Sequence, residues 1–347
     1  MDLDSKRTKL FLILGGTIFG ILFGVLTAKV VVHFRRGALP AGAEFESVDD
    51  LRRAMLQRDD NDVLPDQSVS LRTIISPDPS DLIIYRLKPN LDVTFRGVNV
   101  KTNSYGMRSP EITVEKPANT FRLALLGDSF AFGWGVEADK IFAKVIQDEL
   151  AKKFAGRNVE VLNFGVPGYA SFQEAALFED SGFKFSPDAV LVYFVENDFG
   201  LPFYIKNFGR ESGDLVNNQH FEKLRARVAD TEADQGNIEL LKNLDANRAL
   251  SKLAQVCAER NIPVFLVINP KPNWKQQYGR LRRARREKNL QTLFIRDEIE
   301  KMIDDRHLTG ADVRLPDDPH PNALKHGMLG TVIAEKLFAA LQEQAPH

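Results

Sequence analysis

Short runs of apolar residues recur along the chain and alternate with longer stretches whose apolar positions follow a helical period. The apolar runs fall near residues 122–127, 159–164, 188–195 and 263–268. The helical patterns fall near residues 139–154, 172–181, 246–260 and 323–343. This alternation predicts an α/β fold, a three-layer α/β/α sandwich in which helices cover both faces of a parallel sheet. A fifth, shorter strand is predicted near Val313.

The N-terminal region has a different pattern, a continuous apolar run from Leu10 to Ala28 without a charged residue. A helix of this length can span the hydrocarbon core of a bilayer. A cleaved secretory signal peptide is the alternative, but its apolar region is normally only about 7–15 residues long. We therefore expect residues 1–36 to form a membrane anchor with its flanks. Basic residues lie on both sides of the run, so charge alone does not set its orientation.

Composition shifts divide the remainder of the chain into three parts. Residues 37–80 mix Gly, Pro, Asp and Arg and are interpreted as a stalk or linker. Residues 81–120 contain short strand patterns and are predicted to form an N-terminal extension that lies on the main domain. The main domain is expected to span residues 121–347 and to contain an insertion at about 199–243.

Two polar residues of the extension, Asn103 and Arg108, are predicted as possible substrate contacts. They lie on either side of Gly106, within a stretch that the extension could place as a loop near the substrate-binding site of the main domain. The alternative is that both residues only fix a turn around this glycine.

Composition and charge narrow the class of protein. Hydrophobic residues make up 44% of the 347-residue chain, which is enough for a sizeable core. The formal net charge of −1 argues against nucleic acid as a partner. The single cysteine, Cys257, excludes an intrachain disulfide and is predicted to be buried. A basic cluster at 280–286 is interpreted as a solvated face or, alternatively, as a contact for anionic glycans or lipid headgroups.

Candidate chemistry begins with Ser129, which directly follows the apolar run at 122–127 and the residues Gly127 and Asp128. A strand end places the hydroxyl at the carboxyl edge of the sheet, where a helix start offers free backbone N–H groups. A serine at its ordinary pKa is a poor nucleophile, so it needs a neighbouring base, and that base needs an acid to hold its tautomer.

Near the C-terminus, His320 and Asp317 fit the roles of base and acid. Residues three apart in a turn or short helix project to the same side, so the Asp317 carboxylate is predicted to contact Nδ1 of His320 while Nε2 faces Ser129. Asp318 is the alternative acid. The proline that follows it, Pro319, favours an extended conformation at Asp318 that directs its side chain elsewhere.

Two further strand ends carry Gly165 and Asn197. Together with the serine and histidine segments, these blocks resemble the SGNH hydrolase family, also called GDSL esterases and lipases, from about Arg122 to the C-terminal helix. The stretch 103–136 is similar to the envelope-associated bacterial branch of that family. The resemblance implies a flavodoxin-like domain.

The resemblance also implies three donors for an oxyanion: the Ser129 N–H, the Gly165 N–H and the Asn197 side-chain amide. One block departs from the family pattern, because the third block commonly reads Gly-x-Asn-Asp and this chain has Val195 in place of the glycine. α/β-Hydrolases share the residue order Ser, Asp, His. Their Gly-x-Ser-x-Gly motif needs a glycine where this chain has Ala131, so the SGNH interpretation is favoured.

The expected function is a serine esterase that works through an acyl-serine intermediate and needs no metal or organic cofactor. The other histidines have no partner at metal-ligand spacing in the sequence. By resemblance, the expected substrates are small O-acyl esters, in particular acetyl esters on envelope or exported polysaccharide. An O-acyltransferase, a lipase and a non-catalytic glycan-binding or assembly scaffold remain as alternatives.

The expected location is the bacterial cell membrane, with a single membrane-spanning helix and a periplasmic or extracellular catalytic domain. The expected partners are an O-acylated carbohydrate or small ester, the membrane through the N-terminal helix, and envelope polysaccharide assembly proteins. No nucleic-acid partner is expected.

Overall fold

The structure is a computed structural model that describes residues 68–80, 82–195, 198, 245–269 and 279–344. Its strands are β1 (Ile75–Pro77), β2 (Tyr85–Leu87), β3 (Asp92–Phe95), β4 (Val98–Lys101), β5 (Thr120–Leu126), β6 (Asn158–Asn163), β7 (Ala189–Phe194), β8 (Val264–Ile268) and β9 (Leu290–Phe294). Its α-helices are α1 (Leu71–Ile74), α2 (Ser129–Phe132), α3 (Phe142–Lys153), α4 (Ser171–Ser181), α5 (Ala246–Ala258), α6 (Arg296–Asp305) and α7 (Ala323–Gln344).

The central element is a five-stranded sheet in the order β6-β5-β7-β8-β9, and every neighbouring pair is parallel. Numbered within this sheet alone, the order is 2-1-3-4-5, the order of flavodoxin-like doubly wound proteins. The predicted α/β class with a parallel sheet is confirmed. In such sheets the first strand lies inside and a crevice opens at the carboxyl ends, where the strand order reverses.

Helices cover both faces of this sheet, which explains why β5, β7 and β8 are buried along their whole length. Alternate residues of a strand point to opposite faces, so Leu123 and Leu125 join one core cluster while Ala124 and Leu126 join the other. Helices α3 and α7 pack together on the first face, and α4 and α5 pack together on the second.

The fifth strand of the sheet is β9, and the prediction of a strand near Val313 is wrong. Val313 is buried, but the chain around it forms only an isolated bridge between Arg314 and Pro321. Strand β9 lies at an edge of the sheet, and three of its five side chains are not fully buried. The apolar pattern of β9 is therefore interrupted, so the sequence did not predict this strand. The following helix α6 was not predicted either.

Two antiparallel hairpins, β1–β2 and β3–β4, precede the sheet. Strand β1 lies in the range assigned to the stalk and pairs with β2, which lies in the range assigned to the extension. Buried residues of both hairpins, such as Ile83 and Phe95, belong to the core cluster on the second face of the sheet.

The predicted membrane anchor and the predicted insertion lie outside the described residues. Within the part of the chain that the structure describes, no helix is both long and apolar enough to cross a bilayer.

Candidate active site

Ser129 lies where β5 gives way to the four-residue helix α2, at the carboxyl edge of the sheet. The carboxylate of Asp128 caps this helix by accepting a hydrogen bond from the Phe130 N–H at 2.9 Å. The strand and the cap together fix the backbone at Ser129. Its side chain is therefore held at the crevice where doubly wound proteins bind their ligands.

The Ser129 hydroxyl is hydrogen-bonded to the imidazole of His320. The distance from Oγ to Nε2 is 2.7 Å, whereas Oγ is 3.4 Å from the nearer carboxylate oxygen of Asp128. On the other side of the ring, Nδ1 of His320 lies 2.5 Å from Oδ1 of Asp318. A carboxylate only accepts, so Nδ1 carries the proton and Nε2 is left to accept from the serine.

The acid of this chain is Asp318, and the prediction that Asp317 contacts His320 is wrong. Asp317 is exposed and has a positive φ of 55°, and the carboxylate on Nδ1 of His320 is that of Asp318. Asp318 also accepts from the backbone N–H of His320 at 2.9 Å, so the residue with Pro319 forms an Asx turn. The proline therefore stabilises the turn that brings Asp318 to the ring.

This acid and base lie on a closed loop, residues 315–320, which we call the histidine turn. The N–H of Leu315 donates to the carbonyl of His320 at 3.0 Å, and the Asp318 N–H donates back to the Leu315 carbonyl at 3.3 Å. Burial raises the pKa of the Asp318 carboxyl, but hydrogen bonds from His320 and Trp134 outweigh it, so that the pKa is lowered. Asp318 is therefore ionised at neutral pH.

The prediction that Gly165 donates its N–H to an oxyanion is wrong, because that N–H is already bonded to Oδ1 of Asn163 at 2.9 Å. The same Asn163 side chain donates to the Ala131 carbonyl at 2.8 Å. Gly165 instead allows a close approach, since a Cβ there would lie 2.4 Å from the Phe132 nitrogen. Sequence analysis missed Asn163, although an asparagine at the end of an apolar strand run is a signal for a side chain that bonds the neighbouring backbone. The structure shows that Asn163 is fully buried.

Backbone donors remain near the serine. Neither the Ser129 N–H nor the Gly168 N–H makes a hydrogen bond within the described residues. Gly168 has a φ of +81° and belongs to the loop after β6. This loop contacts residues 127–129, which we call the serine loop, through a 3.1 Å bond from the Val166 N–H to the Gly127 carbonyl. The third predicted donor, Asn197, lies outside the described residues.

Arg108 and Asn103 are not substrate contacts, and both predictions are corrected. The Arg108 guanidinium is buried and donates to the carbonyls of Phe132, Gly133 and Val136 at 2.6–3.0 Å. Burial lowers its pKa to about 10. Asn103 accepts from the N–H groups of two residues of the turn around Gly106, the alternative that the sequence left open.

Buried carboxyl groups surround the serine loop. Burial raises the pKa of Glu174 and of Asp198 well above the ordinary range, and the charge of Asp128 adds to both shifts. Metal-binding clusters of His, Cys, Asp and Glu are absent from the residues that the structure describes. Both pKa shifts favour the neutral form of the Glu174 and Asp198 carboxyls.

The fold and the site together define a class, a doubly wound α/β protein with a Ser-His-Asp chain of hydrogen bonds at the carboxyl edge of its sheet. The chain belongs to the GDSL-like Lipase/Acylhydrolase family, whose sequence profile matches residues 125–326, more than half of the 347 residues. The family resemblance found in the sequence is confirmed. No curated protein sequence matches the chain.

Similar solved structures include a two-domain esterase (CEX) active on acetylated mannans, which is 20% identical with a TM-score of 0.40 over 66% of this chain and 51% of that one. The chain thus covers about half the length of that esterase. A catalytic mutant of Axe2, an acetylxylan esterase from Geobacillus stearothermophilus, is 14% identical with a TM-score of 0.40 over 62% of this chain and 94% of that one. TesA is 18% identical with a TM-score of 0.38 over 62% and 97%. Likenesses at this level assign no substrate to this chain.

Proposed function

We propose that the chain is a serine esterase that removes short acyl groups, in particular acetyl groups, from carbohydrate of the bacterial envelope or from exported polysaccharide. One observation carries the proposal, the 2.7 Å contact of Ser129 Oγ with His320 Nε2, backed on the far side of the ring by the 2.5 Å contact of Nδ1 with Asp318. Membership of a family of lipases and acylhydrolases supports ester hydrolysis.

The reaction proceeds in two halves. Ser129 Oγ attacks the acyl carbon while its proton passes to Nε2 of His320, and the ester C–O bond breaks as Nε2 returns that proton to the leaving alcohol. Water then attacks the acyl-serine, His320 takes a proton from the water, and the same proton goes to Ser129 as the acid is released. Asp318 stays ionised throughout and stabilises the imidazolium.

The tetrahedral intermediates need donors for the developing oxyanion. We assign the Ser129 N–H to this role. Gly168 replaces Gly165 as the second backbone donor because, of these two glycines, Gly165 has its N–H bonded to Asn163 whereas Gly168 has no N–H partner within the described residues. The Asn197 amide remains the proposed third donor. Loss of one such donor typically raises the barrier by about 2.7–4 kcal/mol.

The surroundings of the serine support a short acyl group. Ser129 is only 8% exposed, and the rings of Phe130 and Trp134 lie 5.4 and 5.0 Å from the His320 ring. A nucleophile with this little exposed surface favours a small acyl group such as acetyl over a bulky one. The carbohydrate part of the substrate rests on the resemblance to the envelope branch.

The location is part of the proposal. The apolar run at 10–28 is proposed to anchor the chain in the bacterial cell membrane, with the esterase domain on the periplasmic or extracellular side. Envelope polysaccharide assembly proteins are the proposed partners there. Alkaline phosphatase and fluorescent-protein fusions after residue 36 and after residue 344 test the topology, because each reporter works on one side of the membrane only.

The activity is tested with a fluorophosphonate probe and intact mass measurement on the purified full-length chain in detergent. We expect one probe per chain, and no labelling of Ser129→Ala or His320→Ala. Ser104→Ala, which removes an exposed serine of the extension, is the matched control and should label like the wild type. Absence of labelling in well-folded wild-type protein contradicts the proposal and favours a glycan-binding scaffold.

Hydrolysis is then measured on p-nitrophenyl esters of two to twelve carbons and on acetylated oligosaccharides. We expect the acetyl ester to have the highest kcat/KM. A maximum at long chains indicates a lipase. Transfer of acetyl to an added oligosaccharide faster than release of acetate indicates an O-acyltransferase with the same triad.

A further inference from the structure

The side chain of Trp134 contacts both members of the acid–base pair. Its indole stacks on the His320 ring, with centroids 5.0 Å apart and an interplanar angle of 17°. Its Nε1–H donates to Oδ2 of Asp318 at 3.1 Å. Because Oδ1 of the same carboxylate holds Nδ1 of His320, the two oxygens of Asp318 are bonded to two different aromatic rings that lie against each other.

These contacts restrict the motions that matter for a base on a loop. A carboxylate held through one oxygen can rotate about its Cβ–Cγ bond, whereas bonds to both oxygens fix its plane. The stacked indole also limits rotation of the imidazole about χ2, which would move Nε2 away from Ser129. Trp134 is only 7% exposed, so it forms a wall of the site and does not swing in solvent.

The indole is itself held from outside the main domain, by the tip of the β3–β4 hairpin. The Arg96 guanidinium lies 4.6 Å from the centre of the Trp134 ring, and the buried Phe95 ring meets the indole edge-on at 5.0 Å. The histidine turn packs against the same segment, since a Cβ on Gly135 would lie 2.6 Å from a methyl group of Leu315.

From these contacts we infer that Trp134 is a positioning residue for the Asp318–His320 pair, and that Arg96 at the hairpin tip holds Trp134 in place. The inference deepens the proposed function and rests on it for the kinetic readout. It also gives the N-terminal extension a role in catalysis that does not require any contact of the extension with substrate.

The primary test is a double-mutant cycle between Trp134→Phe and Asp318→Asn, measured as kcat and KM for an acetyl ester with the full-length chain. Phenylalanine keeps an aromatic face but loses the N–H donor to Asp318. We expect kcat to fall about 10- to 100-fold with KM within about twofold, as for the loss of a hydrogen bond to a charged group. In the Asp318→Asn background the same change should cost less than about threefold, because coupled residues are not additive. An equal loss in both backgrounds overturns the inference.

The hairpin contact is tested with an exposed residue that can be changed without disturbing the core. Arg96→Leu should lower kcat about three- to tenfold, and Arg96→Lys should restore part of the loss, because a cation over the indole is regained. Arg260→Leu is the matched control, because Arg260 makes a similar contact, 4.2 Å from the centre of the Phe183 ring. Arg260 precedes β8 and so lies towards the amino edge of the sheet, opposite the edge that carries Ser129. A kcat for Arg96→Leu equal to that of Arg260→Leu contradicts the role of the hairpin tip.

A spectroscopic readout separates failure of the inference from failure of the proposed function. In protein labelled with ¹⁵N-histidine, the Nδ1–H proton of His320 should give a downfield, slowly exchanging NMR signal, which Asp318→Asn identifies by its loss. Trp134→Phe should broaden or shift this signal even if the wild type proves to have no esterase activity. An unchanged signal in Trp134→Phe overturns the inference whatever the activity of the wild type.

Discussion

The serine side of the site and the histidine side are held in place by different kinds of structure. Ser129 lies between a central strand and a capped helix, so regular secondary structure fixes it. His320 lies on the histidine turn, which carries no strand or helix and depends on side-chain bonds within the turn and to Trp134. In the proposed site, the fold therefore positions the nucleophile, whereas a few side chains position the base.

The largest expected effect separates the two aspartates of the histidine turn. Asp318→Asn should lower kcat/KM for an acetyl ester on the order of 10⁴-fold, the typical cost of losing the acid of such a triad. The neighbouring Asp317→Asn is the matched control, and its kcat/KM should stay within about twofold of the wild type, as for other exposed sites. A large loss in Asp317→Asn and a small one in Asp318→Asn would reverse the assignment.

The next effect concerns the serine side, where Arg108 bonds the carbonyls at and after the end of α2. Arg108→Met should lower the free energy of unfolding by roughly 3 kcal/mol, because several buried carbonyls lose their donor at once. Urea unfolding of the full-length chain measures this change. Arg282→Met, at an exposed arginine, should change it by less than about 0.5 kcal/mol. Equal stability of the two variants would show that the serine side does not depend on the extension.

A smaller effect is expected at Gly165, where added bulk meets the backbone of α2. Gly165→Ala should cost roughly 1–3 kcal/mol of stability and lower kcat, because the helix that carries Ser129 must shift. Gly327→Ala is the matched control, since a Cβ there meets nothing within 4 Å and the residue lies in α7. The control should be neutral or slightly stabilising.

The smallest effect is a pH dependence at the buried His326 of α7, the helix that follows the histidine turn. Its Nδ1 accepts from the Phe142 N–H at 3.0 Å, and burial, with smaller effects of Arg108 and His320, lowers its pKa to about 3 from the usual 6.5. Below about pH 6.5 the unfolded chain therefore binds a proton that the folded chain does not. Stability should fall by about 1.4 kcal/mol per pH unit from this group.

His326→Asn keeps an acceptor near the Phe142 N–H but does not titrate. Urea unfolding at pH 7.5 and pH 5.5 should therefore show an acid loss about 1.4 kcal/mol smaller in the variant than in the wild type. An identical acid loss in both proteins would mean that His326 is protonated in the folded state.

The difference between the serine side and the histidine side also accounts for which features could be predicted from the sequence. The strands β5, β6, β7 and β8 and the position of Ser129 follow from apolar runs and strand ends, which are local signals. His320 was found because its residue type and neighbours are distinctive. The choice between Asp317 and Asp318 depends on the backbone conformation of the turn, and the role of Trp134 depends on contacts between distant segments. Neither property is encoded in residue spacing, and the same holds for the bond that occupies the Gly165 N–H.

Within the histidine turn, one carboxylate oxygen of Asp318 accepts both the backbone N–H and the ring Nδ1–H of His320. Closing the turn and selecting the imidazole tautomer are therefore a single event, since the atom that folds the backbone also decides which ring nitrogen keeps its proton. The three residues Asp318, Pro319 and His320 therefore fix the tautomer of their own histidine. Transplanted beside a serine at another strand end, this segment would bring the tautomer with it, but the host scaffold would still have to place the loop and supply a ring donor in the role of Trp134.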